Sequence, residues 1–290
     1  MLLRTTLLLC LFATLLPSCG RTQNADPNSG AAAQTARDTS GTAARLQNLQ
    51  KVLNTVRESM NSTKDTVEAD RLANAAYATT KVLATLARAW DLDGSWKQII
   101  DGKEQEFIRE DATRAGRSGK IVNGMLGVHD MFQTMYGMRY ANRADRMLTL
   151  DTMSNTIQRL MKERADGATL LGQLADDCFH LSKAVFLDLD KDSVFAGHID
   201  QVDQVYAEGR GAAETGEDLF LNGMYRTFEV CQVWAFSLDV TKRNQVKQIY
   251  SSMISRTSAR EGIGHQMATA MEHFYRIVDY IAATIIASGR

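Results

Sequence analysis

Proline is the first scarcity in this chain. Its 290 residues include only Pro17 and Pro27, and the 263 residues from Asn28 to Arg290 contain none. Ordinary usage would place about a dozen there. Proline breaks helix interiors and sheet ladders alike, yet β proteins use it freely in turns and at edges. Its absence argues against a turn-rich β fold and predicts an all-α body. Charge of one sign is missing too: 33 basic residues stand against 34 acidic ones. Phosphate-backbone affinity comes from clustered cations, so this near balance argues against a general polyanion binder such as a nucleic-acid-binding protein. Long apolar runs are also absent. The longest, Thr5–Leu16, has twelve residues and would cover about 18 Å as a helix, short of a ~30 Å hydrocarbon core. The apolar tail from Ile277 to Ala287 is shorter and carries Asp279. What remains is 44% apolar and 7% aromatic, enough for a sizeable core.

Residues 1–18 have the layout of an export signal: Arg4, the apolar run, then Pro17 and Ser18 ahead of Cys19 and Gly20. The boundary Leu16-Pro17-Ser18-Cys19 resembles the lipobox of bacterial lipoproteins, with Pro17 where a small or aliphatic residue is commoner. The resemblance covers only this segment. It implies that Cys19 becomes the mature first residue, acylated on sulfur and amine, and several acyl chains anchor stably. Gly20 stands where an Asp would imply inner-membrane retention, so the resemblance implies the outer membrane, with the body facing the periplasm or cell surface. The alternative is a soluble export signal cut after Gly20, with Ser18 and Gly20 as its small residues. Residues 19–44 have no large apolar side chain before the body and read as a flexible tether, spanning about 25–30 Å.

From residue 45 to 290 the pattern is helical. Leu46, Leu49, Leu53, Val56 and Met60 recur at spacings of three and four. Similar stripes follow, among them Leu170, Leu174, Cys178, Leu181 and Val185, then Phe220, Met224, Phe228, Cys231, Trp234 and Leu238. Ser62 or Thr63, Asp151, and Asp192 or Ser193 are expected N-caps. The expectation is a multi-helix bundle or irregular helical array of about eight to ten helices, with a sub-boundary near 110–120. No fixed sequence repeat of roughly 20–50 residues is apparent, although helix pairs stacked as a degenerate solenoid would fit the pattern.

Candidate chemistry is sparse. With Cys10 in the signal and Cys19 acylated, Cys178 and Cys231 remain: a disulfide between facing helices or two buried thiols both fit. Met125, His129, Met131, Met135 and Met138 combine soft thioethers with an imidazole and suit Cu(I). On one helix, however, Met125 and His129 lie far round from the other three, so core packing explains them better. Asp177-x-x-His180 is a single carboxylate–histidine pair where a di-metal bundle needs two, and a solvated face is the simpler reading. His265 and His273 share a polar side with Glu261 and Glu272. Asp188, Asp190 and Asp192 begin like a calcium loop that Ser193 and Ile199 break. Gly209-Arg210-Gly211 and Gly116-Arg117-Ser118-Gly119-Lys120 fail their nucleotide-loop patterns. Arg109, Arg114, Arg117 and Lys120 form a basic stretch that would suit an anionic partner or simply face solvent. No catalytic residue, cofactor or metal site is assigned. The sequence therefore predicts a membrane-anchored, non-catalytic binding or scaffold component of an envelope assembly. The alternative is a periplasmic receptor for a small ligand or Cu(I).

Overall fold

A computed structural model describes residues 39–62, 67–114, 116–190, 194–238, 243–256 and 261–288. The signal, Cys19, most of the tether, and the caps expected at Thr63, Asp192 and Ser193 lie outside the described residues. Ser40–Arg290 forms one compact unit. The described residues hold ten helices and no strand: α1 Thr39–Ser62, α2 Glu68–Trp90, α3 Lys97–Thr113, α4 Arg117–Tyr140, α5 Ala144–Lys162, α6 Gly167–Leu189, α7 Ala196–Gly211, α8 Gly216–Leu238, α9 Arg243–Arg256 and α10 Ile263–Ser288. The all-α expectation is met.

Helices of two kinds alternate. In α2, fourteen of 23 residues are buried, from Leu72 to Ala89, and α4, α6, α8 and α10 are similarly buried on most faces. The intervening helices bury a single narrow stripe, such as Ile100, Glu104 and Phe107 on α3 or Ile199, Val202 and Tyr206 on α7. A helix apolar nearly all round belongs inside, and one with a single stripe belongs outside.

The inner helices pack in the order α2, α4, α6, α8, α10, and α10 returns to α2. They form a closed ring. Their registers repeat: Ala76 meets Gly124, His129 meets Asp177, Ala175 meets Gly223, and Phe186 meets Trp234, each pair at the same separation along the chain. Contacts that advance together along both members mean parallel helices. The closing pair runs the same way, with Gly264 beside Glu68 and Glu272 paired with Arg71 at 2.7 Å. The common separation is 48, as between His129 and Asp177. The chain thus carries a structural repeat of that length, one inner and one outer helix per unit, that no sequence identity announces.

Small residues make the ring tight. Thr80 Oγ1 donates to Gly124 O at 3.1 Å, so α2 and α4 touch backbone to side chain. A methyl at Gly223 would lie 2.7 Å from backbone atoms of Ala175. Outer helices seat in the crevices: α3 over α2 and α4, α5 over α4 and α6, α7 over α6 and α8, α9 over α8 and α10. Helix α1 completes the outer layer. Arg57 bonds Asp279 on α10 at 2.9 and 3.0 Å, and Arg45 donates to the Asp91 carbonyl after α2 at 2.7 Å.

The axis is filled. Phe132 on α4 stacks on Phe274 of α10 with ring centroids 6.1 Å apart, and Trp90 on α2 meets Trp234 on α8 at 5.2 Å. Neither pair belongs to neighbouring inner helices, so these rings meet across the interior.

Several boundaries differ from expectation. Helix α1 begins at Thr39, inside the expected tether, and Ser62 is its last residue rather than a cap. Asp151 lies within α5, because the break falls earlier, at 141–143. The break near 110–120 is a turn between α3 and α4 inside the one unit, where Gly116 takes a positive φ of 81°. Asp166 caps α6 by accepting from Thr169 N at 2.9 Å, and Asp190 accepts from the N–H groups of Val194 and Phe195.

Candidate functional site: a polar relay opening on a cleft

Helix α6 carries Asp176 and Asp177 in the middle of an otherwise apolar segment, and both are more than nine-tenths buried. Adjacent helical residues point about 100° apart, so the two carboxylates serve different neighbours. Asp177 faces α4, where its Oδ2 lies 3.1 Å from His129 Nε2. Gln173 donates to Asp177 Oδ1 at 2.9 Å, while Gln133 Nε2 lies 3.5 Å from His129 Nε2 and donates to Ser154 Oγ on α5 at 3.0 Å.

Asp176 faces α7. Tyr206 donates its hydroxyl to Asp176 Oδ1, and Arg210 Nε lies 2.9 Å from the same oxygen. Gln173 Nε2, 3.5 Å from Asp176 Oδ2, links the two halves. The result is a chain of polar contacts through the ring wall from α7 across α6 to α4 and α5. Buried polar groups are tolerated when each finds partners, and these do. Burial pushes the Asp176 carboxyl above the usual carboxylate range, against the pull of Arg210 and His180. Burial lowers the His180 imidazole, with Asp176 opposing.

Where α7 lifts away from α6, the relay opens on a cleft of about 800 Å³. Gln173, His180 and Lys183 stand on its α6 side, Tyr206 and Arg210 on its α7 side, and Leu219 at the start of α8. Lys183 bonds Asp203 across the cleft at 2.5 Å. A second groove, about 670 Å³, lies between α1, α9 and α10 beside the Arg57–Asp279 pair.

The residues singled out from the sequence fare differently. Asp177 is buried against His129, not on a solvated face, because α4 packs over it. His180 stays half-buried at the cleft. His273 is fully buried rather than on a polar side. Its Nδ1 lies 2.8 Å from the Thr269 carbonyl, which can only accept, so Nδ1 carries the proton, and Nε2 faces Ser252 Oγ at 3.3 Å. His265 does sit with Glu261, and with Glu68. Met125, Met131 and Met135 are buried in the core, while His129 is committed to Asp177. The described residues hold no cluster of three or more His, Cys, Asp or Glu able to grip a metal ion. Three of the four basic residues lie by carboxylates: Arg117 pairs with Asp70 at 2.8 Å, and Arg114 and Arg109 lie near Glu110.

Cys178 and Cys231 are both buried, and both are free thiols in the structure. Burial pushes both well up, and Cys231 adds to the push on Cys178. They sit on neighbouring helices α6 and α8, but the register of the repeat leaves them five residues out of step. That is about 7.5 Å along the axes, whereas a disulfide needs Cα atoms within about 4.4–6.8 Å.

Asp176, Tyr206, Lys183 and Asp203 were given no site role from the sequence, and Arg210 entered only in the glycine-rich piece that fails its nucleotide-loop pattern. The available signal was two consecutive aspartates inside the apolar run from Leu170 to Phe186. Among the described residues no helix is long and apolar enough to cross a membrane. Comparison of the chain with protein-family models, curated proteins and solved structures finds no match.

Proposed function

We propose that this chain is an exported lipoprotein whose helical ring is a non-catalytic binding or scaffold component of a cell-envelope assembly, carried from an acylated Cys19 at the outer membrane. The anchor rests on Leu16-Pro17-Ser18-Cys19 and the polar segment after it. The observation that carries the binding role is the filled axis, with aromatic pairs meeting across it at Phe132–Phe274 and Trp90–Trp234. A ring packed through its interior offers its working surface on the outside, in grooves between outer helices, as a protein-binding body requires.

The test joins mass spectrometry of the native N-terminus with chemical cross-linking and affinity purification from membranes. An acylated Cys19 together with one stoichiometric envelope partner is expected. A terminus starting at Arg21, or recovery of no partner, would overturn the proposal.

A further inference from the structure

The cleft between α6 and α7 contains an arginine held in one orientation from behind. Asp176, behind the lining residues Tyr206 and Arg210, is only 4% exposed and receives the Tyr206 hydroxyl, so its carboxylate is fixed. Arg210 meets it side-on, with Nε 2.9 Å from Oδ1 and Nη2 3.5 Å from Oδ2. A guanidinium has five N–H donors. The side-on pairing engages Nε–H and one N–H of Nη2. The other three donors, two on Nη1 and one on Nη2, point away from Asp176. The Arg210 side chain is 54% exposed, so those donors face the open cleft. A planar fork fixed in this way matches a carboxylate, which accepts two parallel hydrogen bonds.

The other lining groups narrow the ligand. Lys183 is already paired with Asp203 across the cleft, and Glu214 adds a further acid at the rim. Counting Asp176, the charged groups here sum to an excess of one negative charge. A bare dianion such as phosphate gains little from that field, whereas a carboxylate carrying its own ammonium group matches the fork and the rim acid together. Ala207, Ala213 and Leu219 supply an apolar wall. His180 touches the rings of Phe179 and Tyr206, and its ring nitrogens have no hydrogen-bond partner among the described residues. They are available to a bound group.

We propose that this cleft binds a small zwitterion, an amino acid or short peptide with an apolar side chain, its carboxylate seated on the free edge of Arg210. The same chemistry can come from a free amino acid or from a peptide, and the volume of about 800 Å³ admits either. This site is independent of the anchor and of any envelope partner, so failure to recover a partner leaves it standing.

The test is titration of the full-length protein with leucine, leucyl-leucine and inorganic phosphate. The ¹H–¹⁵N resonance of Arg210 Nε and the His180 ring signals are followed, with isothermal calorimetry alongside. A saturable shift with leucine or leucyl-leucine and none with phosphate is expected, and the tighter of the two identifies the source. Arg210→Lys keeps the charge and loses the fork, and should weaken binding by about tenfold or more. Asp176→Asn, which releases the orientation, should weaken it less. Circular dichroism of each variant checks the fold. No saturable shift with either zwitterion, equal binding of phosphate, or an Arg210→Lys variant that folds and binds like wild type would each overturn the assignment.

Discussion

Replacing Gly223 by Ala tests whether the ring is as tight as the register implies. Gly223 lies inside α8, where alanine is the better helix former by about 1 kcal/mol. On an exposed face the change should stabilise. Here the new methyl would lie 2.7 Å from the backbone carbon and oxygen of Ala175 and 2.9 Å from its Cβ. Backbone of a packed helix cannot swing aside as a long side chain can, so α6 and α8 must move apart. Overpacking of this kind costs about 1–3 kcal/mol. Net of the propensity gain, we expect a loss of up to about 2 kcal/mol, a fall in Tm of up to roughly 8 °C for a domain of this size. Gly102, inside α3, is the internal control, since a Cβ there meets nothing within 4 Å. Gly102→Ala should raise stability by about 0.5–1 kcal/mol. Urea denaturation of both variants reads the difference directly. Should Gly223→Ala stabilise as much as Gly102→Ala, the parallel close-packed α6–α8 contact would be wrong, and the register of the repeat with it.

Asp177→Ala should cost about 2–4 kcal/mol in chemical denaturation, because it leaves the buried His129 without its acceptor and takes the nearer one from Gln173, whereas Asp177→Asn keeps one and should cost clearly less. Burial holds the Glu229 carboxyl above its ordinary range while Arg226 pulls it back. The folded state therefore keeps that proton longer than the unfolded chain, and Glu229's share of stability falls as pH rises from about 4.3 toward the folded pKa. Glu229→Gln should flatten that fall in urea midpoints measured across the acid range. Glu104 has the opposite sign. Burial raises its carboxyl, but hydrogen bonds and charge from Lys81 and Arg88 outweigh it and hold the pKa low. Its contribution is full above the ordinary carboxylate range and lost as pH falls through the folded pKa, so Glu104→Gln should weaken the acid-side loss. Under non-reducing conditions, alkylation mapped by mass spectrometry should label Cys178 and Cys231 only after unfolding; a peptide linking the two would refute the register argument.

The helices themselves were legible, because hydrophobic spacing and missing proline are local properties that follow from the 3.6-residue turn. Their sorting into inner and outer sets came with the structure, in the contrast between α2, with fourteen of its 23 residues buried, and α3 or α7 with one thin buried stripe. Even the repeat had a trace. Ala76, Gly124 and Gly172 recur at the spacing that separates His129 from Asp177, and Thr79, Gly127, Ala175 and Gly223 do so again. That signal lies in residue size rather than identity, so a search for recurring letters passes over it.

Closure belongs to tertiary structure. Nothing local to α10 says that it packs beside α2, near the other end of the body. The seam exists because Arg71 and Glu272, and Arg57 and Asp279, meet only once α4, α6 and α8 have turned the chain around. The relay follows the same logic. Asp177 reads as a surface residue by composition and becomes a buried partner of His129 because α4, one repeat earlier, covers it. Arg210 becomes an oriented donor because Asp176 lies behind it. The sequence by itself determined which segments coil and which faces shun water, since both follow from the order of side chains along one helix. Which polar groups end up facing one another depends on distances between helices, and the fold alone sets those.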